Sequence, residues 1–152
     1  MSGPFRIDSE IAIAAPPQRV WAILTDFAGY ARWNPVVVQV IGSLAAGSEL
    51  RLKSVHSPGQ AATDGVVLLA GAEFPDMRWE GGHPDRSVLT GERLFRCSAD
   101  GSGCRFHQSE MFSGLSAERL VMDFGARMEA NFRLFNGALK RAAENSAVPQ
   151  GR

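Results

Sequence analysis

After Gly114 the apolar residues Leu120, Phe124, Met128, Phe132, Phe135 and Leu139 recur at steps of three and four, the spacing of one face of a long helix. The chain before them reads differently. From Val36 to Gly114 it breaks into short strand-like runs at 36–41, 49–55, 65–72, 76–81, 88–98 and 104–112, separated by Gly, Pro and Asp. A helix longer than any strand must be covered along its whole apolar face, so an antiparallel sheet that covers it has to curve. Curvature needs bulges or glycines, and Gly71, Gly81, Gly82 and Gly91 are available. The expected class is therefore α+β, with a curved sheet wrapped around a C-terminal helix. Two such surfaces do not close completely, and the layer between them is expected to hold a cavity.

The N-terminal part adds one strand and two short helices. Phe5, Ile7, Ser9, Ile11 and Ile13 alternate with Arg6, Asp8 and Glu10, the period of a half-buried strand. Pro16-Pro17 suits the first turn of a helix whose apolar face is Val20, Trp21, Ile23 and Leu24. Thr25-Asp26 is expected to cap a second helix through Phe27, Tyr30 and Trp33, which Asn34-Pro35 stops. Ser116 is the expected cap of the long helix, with Glu118 favourable in its first turn. With the six later runs, this makes seven strands.

Composition limits the partners. At 152 residues the chain fits one domain, with a core over about 5–143 and a polar tail at 146–152. Sixteen Lys and Arg balance sixteen Asp and Glu, giving a formal net charge of +0, so no field favours nucleic acid or an anionic bilayer. No run approaches the ~18 apolar residues of a membrane helix, and Met1-Ser2-Gly3-Pro4 has no basic start; a cytoplasmic monomer or homodimer is expected. Cys97 and Cys104 lack CxxC spacing, and His56, His83 and His107 are scattered, so neither a metal nor another cofactor is expected. The two cysteines are read as reduced thiols.

Three stretches carry a family resemblance: IAAPPQRVWAILTDF at 13–27, YARWNP at 30–35, and the closing pair GERLF at 91–95 with RFHQSEMFSGL at 105–115. Together with the element order over about 5–143, they resemble the START/Bet v 1-like (SRPBCC) helix-grip superfamily, in its polyketide cyclase/dehydratase and lipid-transport branch. The resemblance implies a helix-grip fold with an internal pocket for a small hydrophobic molecule. It does not by itself imply a reaction, because such folds host carriers, cyclases and chaperone co-activators.

The hairpin around Asp100-Gly101 suggests which residues look inward. If Cys97 faces Cys104, then Phe95 faces Phe106, Arg93 faces Gln108 and Gly91 faces Glu110, all on one side of the sheet. Arg93, Gln108 and Glu110 would then sit among phenylalanines. Two readings are open for Arg93 and Glu110: the polar end of a ligand pocket, or a structural ion pair closing one end of the sheet. Trp33, Trp79, Phe95, Phe106, Phe112, Phe124, Met128 and Phe132 are candidates for the pocket wall and equally for ordinary core. His83, after Gly81-Gly82, is a candidate acid or base in a loop, and an exposed histidine otherwise. Asn131, between Met128 and Phe135, is read as inward-looking or, more commonly for such a residue, as solvated or capping.

Three functional classes remain. The first is a carrier or binding module for a lipid, aromatic or polyketide-like molecule. The second is a cyclase or dehydratase moving a proton with Glu110, Arg93 or His83, without metal or nucleotide. The third is an interaction protein acting through its outer surface.

Overall fold

The computed structural model describes residues 5–147. Strand β1 (Arg6–Ile13) buries Ile7 and Ile13, and helix α1 (Pro17–Thr25) follows with Pro17 in its first turn and Val20 and Leu24 buried. A 3-10 turn at Phe27–Gly29 leads into the four-residue helix α2 (Tyr30–Trp33). The expected cap at Thr25-Asp26 does not form. The Thr25 hydroxyl donates to the Trp21 carbonyl within α1, and Asp26 faces Arg32 at 3.6 Å instead.

Asn34 ends α2 by turning extended, and its Oδ1 accepts from the backbone N–H groups of both Val36 and Val37, at 2.9 Å each. One buried amide thus fixes how the chain enters the sheet. Asn34→Ala would orphan two donors and is expected to lower stability by about 1–3 kcal/mol. Urea denaturation measures this, and a loss below a few tenths would remove Asn34 from that role.

The remaining strands are β2 (Val37–Ile41), β3 (Glu49–Ser54), β4 (Thr63–Glu73), β5 (Asp76–Gly82), β6 (Thr90–Asp100) and β7 (Gly103–Ser113). They form one antiparallel sheet in the order β1-β7-β6-β5-β4-β3-β2. Its register breaks between Leu69 and Gly71 and between Val37 and Gln39, so of the four glycines offered for curvature only Gly71 lies at a break. Gly81 and Gly91 pair in regular register. Gly82, at φ +132°, serves a close crossing: a Cβ there would lie 2.4 Å from the Leu89 carbonyl oxygen.

The last hairpin turns one residue later than expected. Asp100 pairs with Gly103, so the turn holds two residues, with Gly101 at φ +61°. Cys97 therefore lies opposite Phe106, Phe95 opposite Gln108, Arg93 opposite Glu110 and Gly91 opposite Phe112. The register is displaced by two residues from the Cys97–Cys104 pairing. An even displacement keeps every side chain on its own face, and Phe95, Cys97, Cys104, Phe106 and Gln108 are all buried. Both cysteines are free thiols.

Helix α3 (Ala117–Ala147) runs beyond position 146, where the polar tail was expected to begin; 148–152 lie outside the described residues. Its C-terminal half buries Phe132, Phe135, Ala138, Leu139 and Ala143. Phe135 is the hub, in ring contact with Tyr30, Trp33, Phe95 and Phe106. Phe124, expected on the buried stripe, is 41% exposed with Arg127 stacked on its ring. The stripe passes through Gly125 instead, where a Cβ would meet Val121 and Ile7. A smaller apolar cluster of Ile7, Phe112, Ala117 and Phe132 closes this end.

Candidate ligand site

Between the main core and that smaller cluster lies a chamber of about 150 Å³. Leu52, Val67 and Leu89 supply apolar wall, and Trp79, Arg93, Glu110 and Phe112 line it as well. Its position follows from strand alternation: Arg93 and Glu110 are cross-strand partners on the concave face, and Trp79 is the partner of Arg93 on the next strand.

Arg93 is held by its neighbours from several directions. Its guanidinium carbon lies 4.7 to 5.7 Å from the ring centres of Phe132, Phe95, Phe135 and Trp79, the range in which an aromatic face attracts a cation. Nε donates to Gln108 Oε1 at 2.9 Å, and Nη2 donates to the same oxygen. Gln108 passes the connection on: its Nε2 donates to Asn136 Oδ1 at 2.7 Å, and Asn136 Nδ2 donates to the Ser9 hydroxyl at 3.1 Å. This row of polar groups links β6, β7, α3 and β1 through the interior. Burial lowers the Arg93 pKa, while the charges of Glu110 and Tyr30 oppose the change; arginine stays protonated under any folding condition.

Glu110 has no such support. Among the described residues its carboxyl makes no hydrogen bond and no direct ion pair, although Arg93 is its cross-strand partner. Burial raises its pKa, and Arg93 only partly opposes this. The carboxyl folds over Gly91, where a Cβ would lie 2.7 Å from Oε2, so glycine at that position leaves it room. Trp79 Nε1, on the same wall, is a buried polar atom without a hydrogen-bond partner. An apolar chamber with an unpaired acid and a fixed cation on one wall can orient a hydroxyl or carbonyl, and a neutral Glu110 can donate to one.

The structure gathers some of the expected residues here and disperses others. Trp79, Arg93, Glu110 and Phe112 line the chamber. Phe95, Phe106 and Phe132 are buried in the packed rings beside it, and Gln108 holds Arg93. Met128 packs on the smaller cluster. Trp33 lines a separate groove between α1 and α3, and Phe124 is exposed. His83 is exposed in the β5–β6 loop, where its Nδ1 accepts from the Asp85 N–H. Asn131 is buried rather than solvated, donating to the His56 carbonyl. Asn136, Leu52, Val67 and Leu89 were not foreseen. Asn136 sits three before Leu139 and four after Phe132, so helical spacing alone could have placed it inward.

Among the described residues no helix is long and apolar enough to cross a membrane, and no group of three or more His, Cys, Asp or Glu could hold a metal ion.

The fold recurs among solved structures. The Zhui aromatase/cyclase from Streptomyces sp. R1128 superposes with a TM-score of 0.77 at 17% identity, covering 96% of this chain and 97% of that one. The protein TTHA0849 from Thermus thermophilus gives 0.72 at 16% identity, over 93% and 98%. Ara h 8.0201 gives 0.58 at 12% identity, over 88% and 96%. At such identities the likeness concerns the fold. No curated protein matches the chain in sequence. The family described as polyketide cyclase / dehydrase and lipid transport matches residues 4–144, nearly the whole described chain with its sheet and its long helix, and the chain belongs to that family.

Proposed function

We propose that this protein binds a small, largely apolar molecule, or the ring-sized end of a longer one, in the chamber on the concave face of the sheet. The Glu110 carboxyl, without a hydrogen-bond partner among the described residues and set in a wall that is apolar apart from Arg93, carries the reading: a desolvated polar group without a partner is costly, and a ligand hydroxyl or carbonyl would relieve it. The volume of about 150 Å³ matches the engineered cavity that takes up benzene, and it is below the 300–1,000 Å³ of pockets that enclose a drug-sized ligand. The chamber therefore suits one ring, with any remaining part of the ligand outside.

The first test is native mass spectrometry of protein purified from its own source, under gentle and then denaturing conditions. A released small molecule supports the reading. A clean mass, followed by no thermal shift against a panel of one- and two-ring compounds, sinks it. Leu89→Trp fills the chamber and is expected to abolish binding with the fold retained.

A second reading is favoured by the same carboxyl. An acid with a raised pKa beside open volume is suited to general acid or base work, which fits a cyclase or dehydratase moving one proton. Glu110→Gln separates the two: retained binding with lost turnover indicates catalysis, whereas lost binding indicates an anchor.

The same variant has a stability signature. The folded state holds the Glu110 proton above the ordinary value of 4.5, so over that interval the unfolded chain binds fewer protons. Stability is then fully present below pH 4.5 and is lost as pH rises through the raised folded value. Glu110→Gln is expected to remove this loss and to be more stable than the parent near neutrality. Urea midpoints across about pH 4–8 measure the slope; identical slopes would place Glu110 in water.

A further inference from the structure

A second concavity lies apart from the chamber and shares no lining residue with it. It is a groove of about 760 Å³ between the α1–α2 segment and the last turns of α3, within the size range of pockets that enclose small ligands. Ile23, Trp33 and Ala138 form apolar wall, and Arg19, Arg32 and Arg141 line it alongside a single acid, Asp26.

Arg32 and Arg141 are the cations left loosely paired or unpaired among the described residues. Asp26 meets Arg32 at 3.6 Å, with both side chains more than half exposed, and Gly29 leaves the space in which they meet: a Cβ there would be 2.5 Å from Asp26 Oδ2 and 2.9 Å from Arg32 Nη2. Arg19 Nε donates to the Ala143 carbonyl at 3.2 Å. Arg141 folds back over Gly137, 3.5 Å from where a Cβ would sit, and among the described residues its guanidinium has no hydrogen bond or ion pair. The nearest acid on its helix, Glu144, is taken by Lys140 and the Ala14 N–H.

From this charge imbalance over an apolar wall we infer that the groove is a binding site for a small amphipathic anion, a carboxylate on an aliphatic or aromatic body. The head lies against Arg141 and Arg32, where charge-assisted bonds to a planar guanidinium are strongest. The body lies along Ile23, Trp33 and Ala138.

Sodium decanoate, kept below its micelle concentration, is the probe, with decanol as the uncharged control and backbone amide NMR as the readout. The expected result is saturable shifts at Ala22, Ile23, Gly29 and Ala138, with decanol at least about tenfold weaker, a difference of one charge-assisted contact. Arg141→Gln, at an exposed and unpaired position, is expected to weaken decanoate by about tenfold with an unchanged melting temperature. Three outcomes overturn the assignment: no saturable shift, shifts confined to Val67, Leu89 and Gly91 around the chamber, or equal affinity for decanoate and decanol. If phosphatidylglycerol vesicles sediment the protein while decanoate shifts nothing, the arginines serve a membrane surface and the small-anion site is wrong.

Discussion

Phe135→Ala is expected to lower the unfolding free energy by about 3–5 kcal/mol, the range for deleting a fully buried aromatic ring. Phe135 is 0% exposed and touches the rings of Tyr30, Trp33, Phe95 and Phe106 while facing the Arg93 guanidinium at 5.4 Å. These partners come from α2, β6 and β7, so the gap left by the ring has no single element that can move in to fill it. For a chain of this length each kcal/mol shifts the melting temperature by about 2–4 °C, which puts the expected drop at roughly 10 °C or more. Urea denaturation should show a lower midpoint with an unchanged slope. A loss under about 1.5 kcal/mol would mean that the rings repack freely and that Phe135 is no hub.

Arg93→Ala is the second large effect, at about 2–5 kcal/mol, the range for truncating a large inward-facing side chain to alanine. It leaves Gln108 Oε1 without its donors, withdraws the one cation that opposes the desolvation of Glu110, and empties the space among four rings. Arg93→Met keeps much of the volume and should cost less, which separates packing from charge. The diagnostic measurement is a double-mutant cycle with Glu110→Gln. If the two groups are coupled as cross-strand partners, Glu110→Gln should recover about 1–2 kcal/mol in the Arg93→Met background. Strict additivity would show that the carboxyl does not sense the guanidinium.

These experiments also bear on how the chamber is kept open. Arg93 is fixed by Gln108, Asn136 and Ser9 on one side and by aromatic faces on the other, so it cannot swing to close on Glu110.

Much of the fold was legible in the chain. Alternation in 6–13 and in the six later runs gave strands, Asn34-Pro35 gave the end of α2, and the three- and four-residue spacing after Gly114 gave α3, because these patterns are set by backbone period and local sterics. The inward face of the last hairpin was legible too. Its register was not: the turn sits at 101–102 with Gly101 left-handed rather than at 100–101, and the resulting error of two residues conserved the faces.

What the sequence determined by itself was the order of elements, the side of each strand that faces the helix, and the presence of Arg93 and Glu110 on that side. What only the tertiary structure decided was how much room is left there. Helical spacing counted Phe124 as buried, yet the close approach of Gly125 to Ile7 turns it outward. It counted Trp33 toward the pocket, yet its ring packs on Phe135 from the far side and lines the arginine groove. Whether a side chain fills a cavity, borders it or turns away depends on the distances between elements that are remote in the chain. Those distances are set by packing, which acts on all the side chains at once and leaves no periodic trace in sequence.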